Sequence, residues 1–132
     1  MAPKVLLVDD EKSILMMLEV NFRAAGFDVV TATSGASALE MAVAARPDAV
    51  VLDLRLPDRD GWWVVDEFRK IPEKASVPIV VCSAHASPST LARARDQGLP
   101  YVTKPFSPAR LVAVIGEMLR GAAPRAEDVD PE

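Results

Sequence analysis

Short runs of β-branched and aliphatic residues alternate along this chain with longer stretches in which apolar side chains recur at helical spacing. Val5-Leu6-Leu7-Val8 reads as a buried strand, and Ser13 to Ala25 as a helix with Ile14, Met17, Leu18 and Phe22 on one face. Gly26 stands where a helix-terminating glycine belongs. Val29-Val30-Thr31 is a second strand. Ser34 can cap a second helix running to about Arg46, with Leu39, Ala42 and Val43 inward, and Pro47 stops it. Ala49-Val50-Val51-Leu52 forms a third strand that delivers Asp53 at its end. After a loop containing Pro57 and Gly61, a third helix runs from Trp62 to about Ile71 and offers Val65, Phe68 and one of Trp62 and Trp63 to a core. Val77 to Cys82 is a fourth strand. Ser87-Pro88 and Ser107-Pro108 each place a serine at the N-cap and a proline at the first helical position, opening helices at about 88–97 and 108–120. Tyr101-Val102-Thr103 lies between them as a fifth strand, and Leu111, Val114, Ile115, Met118 and Leu119 give the last helix its apolar face.

Five strand–helix repeats predict an α/β fold: a doubly wound, five-stranded parallel sheet with helices on both faces. Right-handed crossovers favour the strand order 2-1-3-4-5, the flavodoxin-like arrangement. Residues 1–120 are expected to form one domain. From Gly121 onward the chain is Ala-, Pro- and acid-rich without periodicity, so residues 121–132 are expected to be a disordered tail or the start of a linker.

Composition narrows the function. The chain has 132 residues, half of them hydrophobic, which suits one globular domain. A net charge of −4 with scattered basic residues argues against direct nucleic-acid binding, which needs clustered Lys and Arg. The single cysteine, Cys82, excludes an internal disulfide, and its place in the alternation turns it away from Ser83, as inert core. No apolar run has the length of a signal-peptide core or a membrane span, so a soluble, cytoplasmic protein with no membrane contact is expected.

Sites in open parallel α/β sheets form beyond the carboxyl ends of the strands. There the sequence places Asp9-Asp10-Glu11 after the first strand, Asp53 after the third, Ser83-Ala84-His85 after the fourth and Lys104-Pro105 after the fifth. Carboxylate oxygens without soft ligands select a hard cation such as Mg2+, which shares phosphate oxygens with the protein. A carboxylate can act as nucleophile toward phosphorus, and a lysine and a hydroxyl can steady the transferred group. Alone, each residue has a plainer role: strand-end acids, a backbone-bonded serine, a tyrosine packed in the core.

Together they are specific. Val8-Asp9-Asp10-Glu11, then Val51-Leu52-Asp53-Leu54-Arg55-Leu56-Pro57-Asp58-Arg59-Asp60-Gly61, then Val81-Cys82-Ser83-Ala84, then Tyr101-Val102-Thr103-Lys104-Pro105-Phe106 occur in the order and spacing of the receiver domain of two-component response regulators, which residues 4–120 resemble. The resemblance implies a phosphoacceptor switch whose chemistry is limited to its own phosphorylation and dephosphorylation at Asp53. It implies Mg2+ on Asp10, Asp53 and the backbone carbonyl of Arg55, with Asp9 acting through water, and Mn2+ able to substitute. Lys104, Ser83 and Ala84 would steady the phosphoryl group. Ser83 and Tyr101 would be the switch pair, and Pro105 would follow a cis bond. The implied donor is a phosphohistidine on a sensor histidine kinase or a histidine phosphotransfer protein. The output would pass to a downstream protein target through the fourth helix, fifth strand and fifth helix, as a monomer or a phosphorylation-dependent dimer. Arg55 and His85 stand where the family tunes phosphate lifetime. Leu56 replaces the frequent Met, and Leu99-Pro100 replaces the common pair before the aromatic. Two rival readings are an aspartyl-phosphate hydrolase of the haloacid dehalogenase type, for which Arg55 stands in place of the needed second acid, and a phosphate-independent binding module.

Overall fold

The computed structural model describes residues 2–84 and 87–121. His85 and the expected tail beyond Gly121 lie outside the described residues. The elements run β1 (Lys4–Val8), α1 (Lys12–Ala24), β2 (Asp28–Ala32), α2 (Gly35–Ala45), β3 (Ala49–Asp53), α3 (Gly61–Lys70), a 3₁₀ turn (Pro72–Lys74), β4 (Ile79–Ser83), α4 (Pro88–Asp96), β5 (Tyr101–Thr103) and α5 (Pro108–Leu119). The strands form one parallel sheet in the order β2-β1-β3-β4-β5, as predicted.

Alternation along the strands splits the core into two layers. Leu6, Val8, Val50, Leu52, Ile79, Val81 and Tyr101 pack against Ala38 and Ala42 of α2, Val64, Val65 and Phe68 of α3, and Ala94 of α4. Val5, Leu7, Val51, Val80, Cys82 and Val102 face the other way, against Leu15, Leu18 and Phe22 of α1 and Leu111, Val114 and Ile115 of α5. Every residue of β3 and β4 is buried, which is why both read as unbroken apolar runs.

Helix faces differ from expectation in two places. In α1 the buried set is Leu15, Leu18 and Phe22; Ile14 is half-buried and Met17 is 40% exposed. In α2 Ala42 is inward and Leu39 packs partly buried against the core, as expected, but Ala38 joins them and Val43 is 63% exposed. Ala38 joins Ala42 in the inward stripe of α2 because small residues let a helix lie close to a sheet. β4 begins at Ile79 rather than Val77, because Pro78 has no N–H for the ladder and only its carbonyl accepts, from the Val50 amide. Trp62 is the buried member of its pair at 8% exposure, and Trp63 is half-buried. Each indole has a guanidinium on its face: Arg93 over Trp62 at 4.6 Å and Arg59 over Trp63 at 4.4 Å. Met118 and Leu119 are half-buried at the rim of the α5 face.

The helix ends follow the sequence signals closely. Ser34, Ser87 and Ser107 accept from the amides of Ser37, Thr90 and Arg110. Gly26 ends α1 at φ 95°, a backbone region that favours glycine. The Lys104–Pro105 bond is cis, as the resemblance implied. Asp58 was not foreseen as structural. From the β3–α3 loop its carboxylate accepts from the amides of Gly35 at 2.7 Å and Ala36 at 3.0 Å, the opening residues of α2. Those two amides hold the Asp58 carboxyl below its ordinary pKa.

Truncating Phe22, fully buried and edge-on to Phe27, to alanine should cost about 3–5 kcal/mol. Val43→Ala should stay within about 0.5 kcal/mol. Urea unfolding of both variants checks this, and equal losses would contradict the helix faces described. The depressed Asp58 pKa stabilises the fold above the ordinary aspartate value of 3.8, and that contribution fades as pH falls through the folded value. The stability gap between the wild-type chain and Asp58→Ala should therefore be flat near neutrality and close in acid. A gap independent of pH would show that the carboxylate charge does not matter.

Candidate functional site

Parallel pairing brings the carboxyl ends of the strands to one edge of the sheet. Val8 lies opposite Leu52, Leu52 opposite Val81, Asp53 opposite Cys82, and Ser83 opposite Thr103. The ladder continues one step beyond the strands: the Leu54 amide donates to the Cys82 carbonyl and the Lys104 amide to the Ser83 carbonyl, both at 2.9 Å. Asp9, Asp53, Ser83 and Lys104 are thus delivered to one place by backbone hydrogen bonds, before their own side chains interact.

The side chains then close a compact polar cluster. Lys104 Nζ donates to Asp9 Oδ2 at 2.9 Å and to Asp53 Oδ2 at 3.1 Å, with Glu11 Oε1 at 3.8 Å. The second oxygens are also satisfied, Asp53 Oδ1 by the Arg55 amide at 3.1 Å and Asp9 Oδ1 by the Glu11 amide at 2.9 Å. Asp9 and Asp53 are buried at 3% and 4% exposure, while Asp10 is exposed. One carboxylate oxygen from each of Asp9, Asp10 and Asp53 lies within 4.8 Å of the others.

Burial raises the pKa of Asp53, the Asp9 charge adds to the rise, and the Arg55 amide and Lys104 oppose it. Burial works against the Lys104 ammonium, but its bonds to Asp9 and Asp53 prevail and its pKa sits above the usual lysine value. The cluster therefore holds three acidic groups and one firmly cationic group. An all-oxygen set with surplus negative charge is the donor chemistry of a hard divalent cation, so these residues fit one.

Ser83 is buried beside this cluster, and Tyr101 on the neighbouring strand is also buried. Burial pushes the Tyr101 phenol up in pKa. Ala84 is exposed at the mouth of the site. The Arg55 side chain is exposed, and its backbone amide is the part that reaches Asp53. Burial pushes the Cys82 thiol far up in pKa, as an inert core residue requires.

Two residues near the site were missed. Glu11 was noted as part of an acidic run but not as a neighbour of Lys104. At Gly61, a Cβ would lie 2.6 Å from Leu54 Cα and 2.8 Å from the Asp53 carbonyl oxygen, so α3 starts against the backbone of Asp53 and Leu54 and only glycine fits. The Asp60-Gly61 pair before a helix was the available signal; Asp60 caps α3 through the Trp62 amide at 2.6 Å.

Comparison with known proteins agrees with this geometry. The response regulator receiver domain family matches residues 5–116. The transcriptional regulatory protein PrrA of Mycobacterium tuberculosis is 42% identical over 120 residues, which is 90% of this chain and 51% of PrrA. The alkaline phosphatase synthesis transcriptional regulatory protein PhoP of Bacillus subtilis is 38% identical over 131 residues, 96% of this chain and 54% of PhoP. The chain thus spans about half the length of these curated relatives. Among solved structures, the chemotaxis protein CheY4 of Vibrio cholerae superposes with a TM-score of 0.82 at 30% identity, covering 89% of this chain and 98% of that one. The receiver domain of the Francisella response regulator 1452 gives 0.81 at 29% identity, covering 90% and 98%. No helix among the described residues is long and apolar enough to cross a membrane. A family match over residues 5–116, on a sheet edge that gathers its acids around one lysine, places this chain in the response regulator receiver domain family, the phosphoacceptor signalling switches of two-component systems.

Proposed function

We propose that Asp53 is the phosphoacceptor, taking a phosphoryl group from a phosphohistidine on a sensor histidine kinase or histidine phosphotransfer protein. The observation that carries this reading is the Lys104 ammonium held between Asp9 and Asp53 at 2.9 and 3.1 Å. An Asp53 carboxylate oxygen attacks phosphorus, a new O–P bond forms, and the N–P bond to the donor histidine breaks. The Arg55 amide fixes one Asp53 oxygen and so orients the other toward the incoming group. Lys104 then follows the negative charge onto the phosphoryl oxygens, and the Ser83 hydroxyl and the backbone at Ala84 supply further donors. Asp10, Asp53 and the Arg55 carbonyl, with Asp9 through water, would hold Mg2+ or Mn2+, which neutralises charge on the transferring oxygens.

Ser83 and Tyr101 form the proposed switch. Their burial on neighbouring strands, with the Ser83 side chain acting on the Tyr101 phenol, supports a readout in which a Ser83 hydroxyl drawn to the phosphoryl group passes its movement to Tyr101. Tyr101 lies on β5, between α4 and α5 in the chain, so the surface proposed to change is α4–β5–α5, presented to a downstream protein target by a monomer or a phosphorylation-dependent dimer. The net charge of −4 for the 132-residue chain, with its basic residues scattered, supports protein rather than DNA contacts. The proposed setting is the cytoplasm. PrrA and PhoP are named as transcriptional regulators, and this chain would reach transcription through its target or through an attached output segment.

Acetyl phosphate with Mg2+ should add one phosphoryl group to the wild-type chain and none to Asp53→Asn, read by intact mass. Equal labelling of the variant would remove the acceptor assignment. Lys104→Ala should slow labelling by about 10²-fold while Mg2+ still binds. Undiminished labelling would show that the ammonium takes no part in the transfer.

A further inference from the structure

Asp58 is exposed and five residues beyond the proposed acceptor, yet it ties the far part of the β3–α3 loop to α2. Resting on the site reading above, we infer that Asp58 is a positioning residue for the cation and acceptor site: it straps the loop carrying Arg55 to the first turn of α2.

Residues 57–60 are all exposed, so no core packing fixes this stretch. Its attachments are few. Arg55 pairs with Asp60 in a single antiparallel bridge, and Gly61 returns its amide to the Leu54 carbonyl at 2.9 Å. These bonds close the loop on itself, and its apex is tied to the rest of the domain by Asp58. Two consecutive α2 amides, Gly35 and Ala36, donate to separate oxygens of one carboxylate across 22 and 23 residues of sequence. That is a two-point fixation rather than a single hinge-like bond. Helix polarity favours an anion there, at the positive end of α2. Gly35 leaves room for the approach, since a Cβ there would lie 3.1 Å from Arg59 Cβ, and the Arg59 guanidinium in turn covers Trp63.

The strapped segment begins next to the chemistry. The Arg55 amide holds Asp53 Oδ1, and the same peptide backbone carries the carbonyl proposed as a cation ligand. When the apex moves, both groups move with it, whereas the strand-end acids Asp9 and Asp10 stay with β1. Asp58 therefore acts on the site through the loop's position and touches neither phosphate nor metal.

The experiment titrates Mg2+ into the full 132-residue chain, following tryptophan fluorescence and the Arg55 amide resonance, with unfolding measured in parallel. Asp58→Ala should weaken Mg2+ binding by about 10-fold, the effect expected when a support for a ligand is lost. Asp58→Asn, which keeps a carbonyl acceptor for one amide, should recover part of the loss. Ser34→Ala is the control: it removes the other side-chain cap of α2, on the Ser37 amide, without touching the loop. It should lower stability and leave Mg2+ affinity unchanged. Equal affinity for Asp58→Ala and wild type, with only stability reduced, overturns the inference and leaves the site reading intact. Equal weakening by Ser34→Ala overturns it too, by tracing the effect to α2 as a whole. A wild-type chain that takes up no Mg2+ overturns the site reading and this inference together.

Discussion

Two buried carboxylates sharing one ammonium is the constraint on which this domain turns. Asp9 and Asp53 lie in a sheet edge with little solvent, where burial and the nearby Asp9 charge push the Asp53 carboxyl up in pKa. Lys104 opposes that rise, and its bonds to Asp9 and Asp53 in turn favour the ammonium despite its burial. None of the three is comfortable alone. Removing one partner of such a cluster strands the others in a poorly solvated place, so the cluster is held together by necessity as well as attraction. The same tension makes it receptive to a cation or a phosphoryl group that redistributes the charge.

Much of this was legible before any coordinates. A parallel α/β sheet gathers strand ends on one edge, so the residues following each apolar run could be read as neighbours: Asp9 and Asp10, Asp53, Ser83 and Lys104. Strand order followed from handedness and length. The serine caps and the positions of Gly26 and Pro47 fixed the helix ends to within a residue or two.

What stayed illegible has identifiable physical causes. One helix face is hard to read where an alanine rather than a larger residue points inward, as at Ala38 against Val43. Periodicity ranks side chains by size and hydrophobicity, but the sheet selects those that permit close approach. Asp58 was unreadable for another reason: its partners are backbone amides more than twenty positions away, and amides carry no sequence signature.

The glycine that opens α3 has a bearing on how variants of this protein are interpreted. Position 61 lies against the backbone of Asp53 and Leu54 so tightly that any side chain would push the Asp53 peptide out of line. In a mutational scan scored by signalling output, it would stand among the most sensitive positions and look like part of the chemistry. It has no functional group to contribute. Its sensitivity would measure how little displacement of the Asp53 main chain signalling can tolerate.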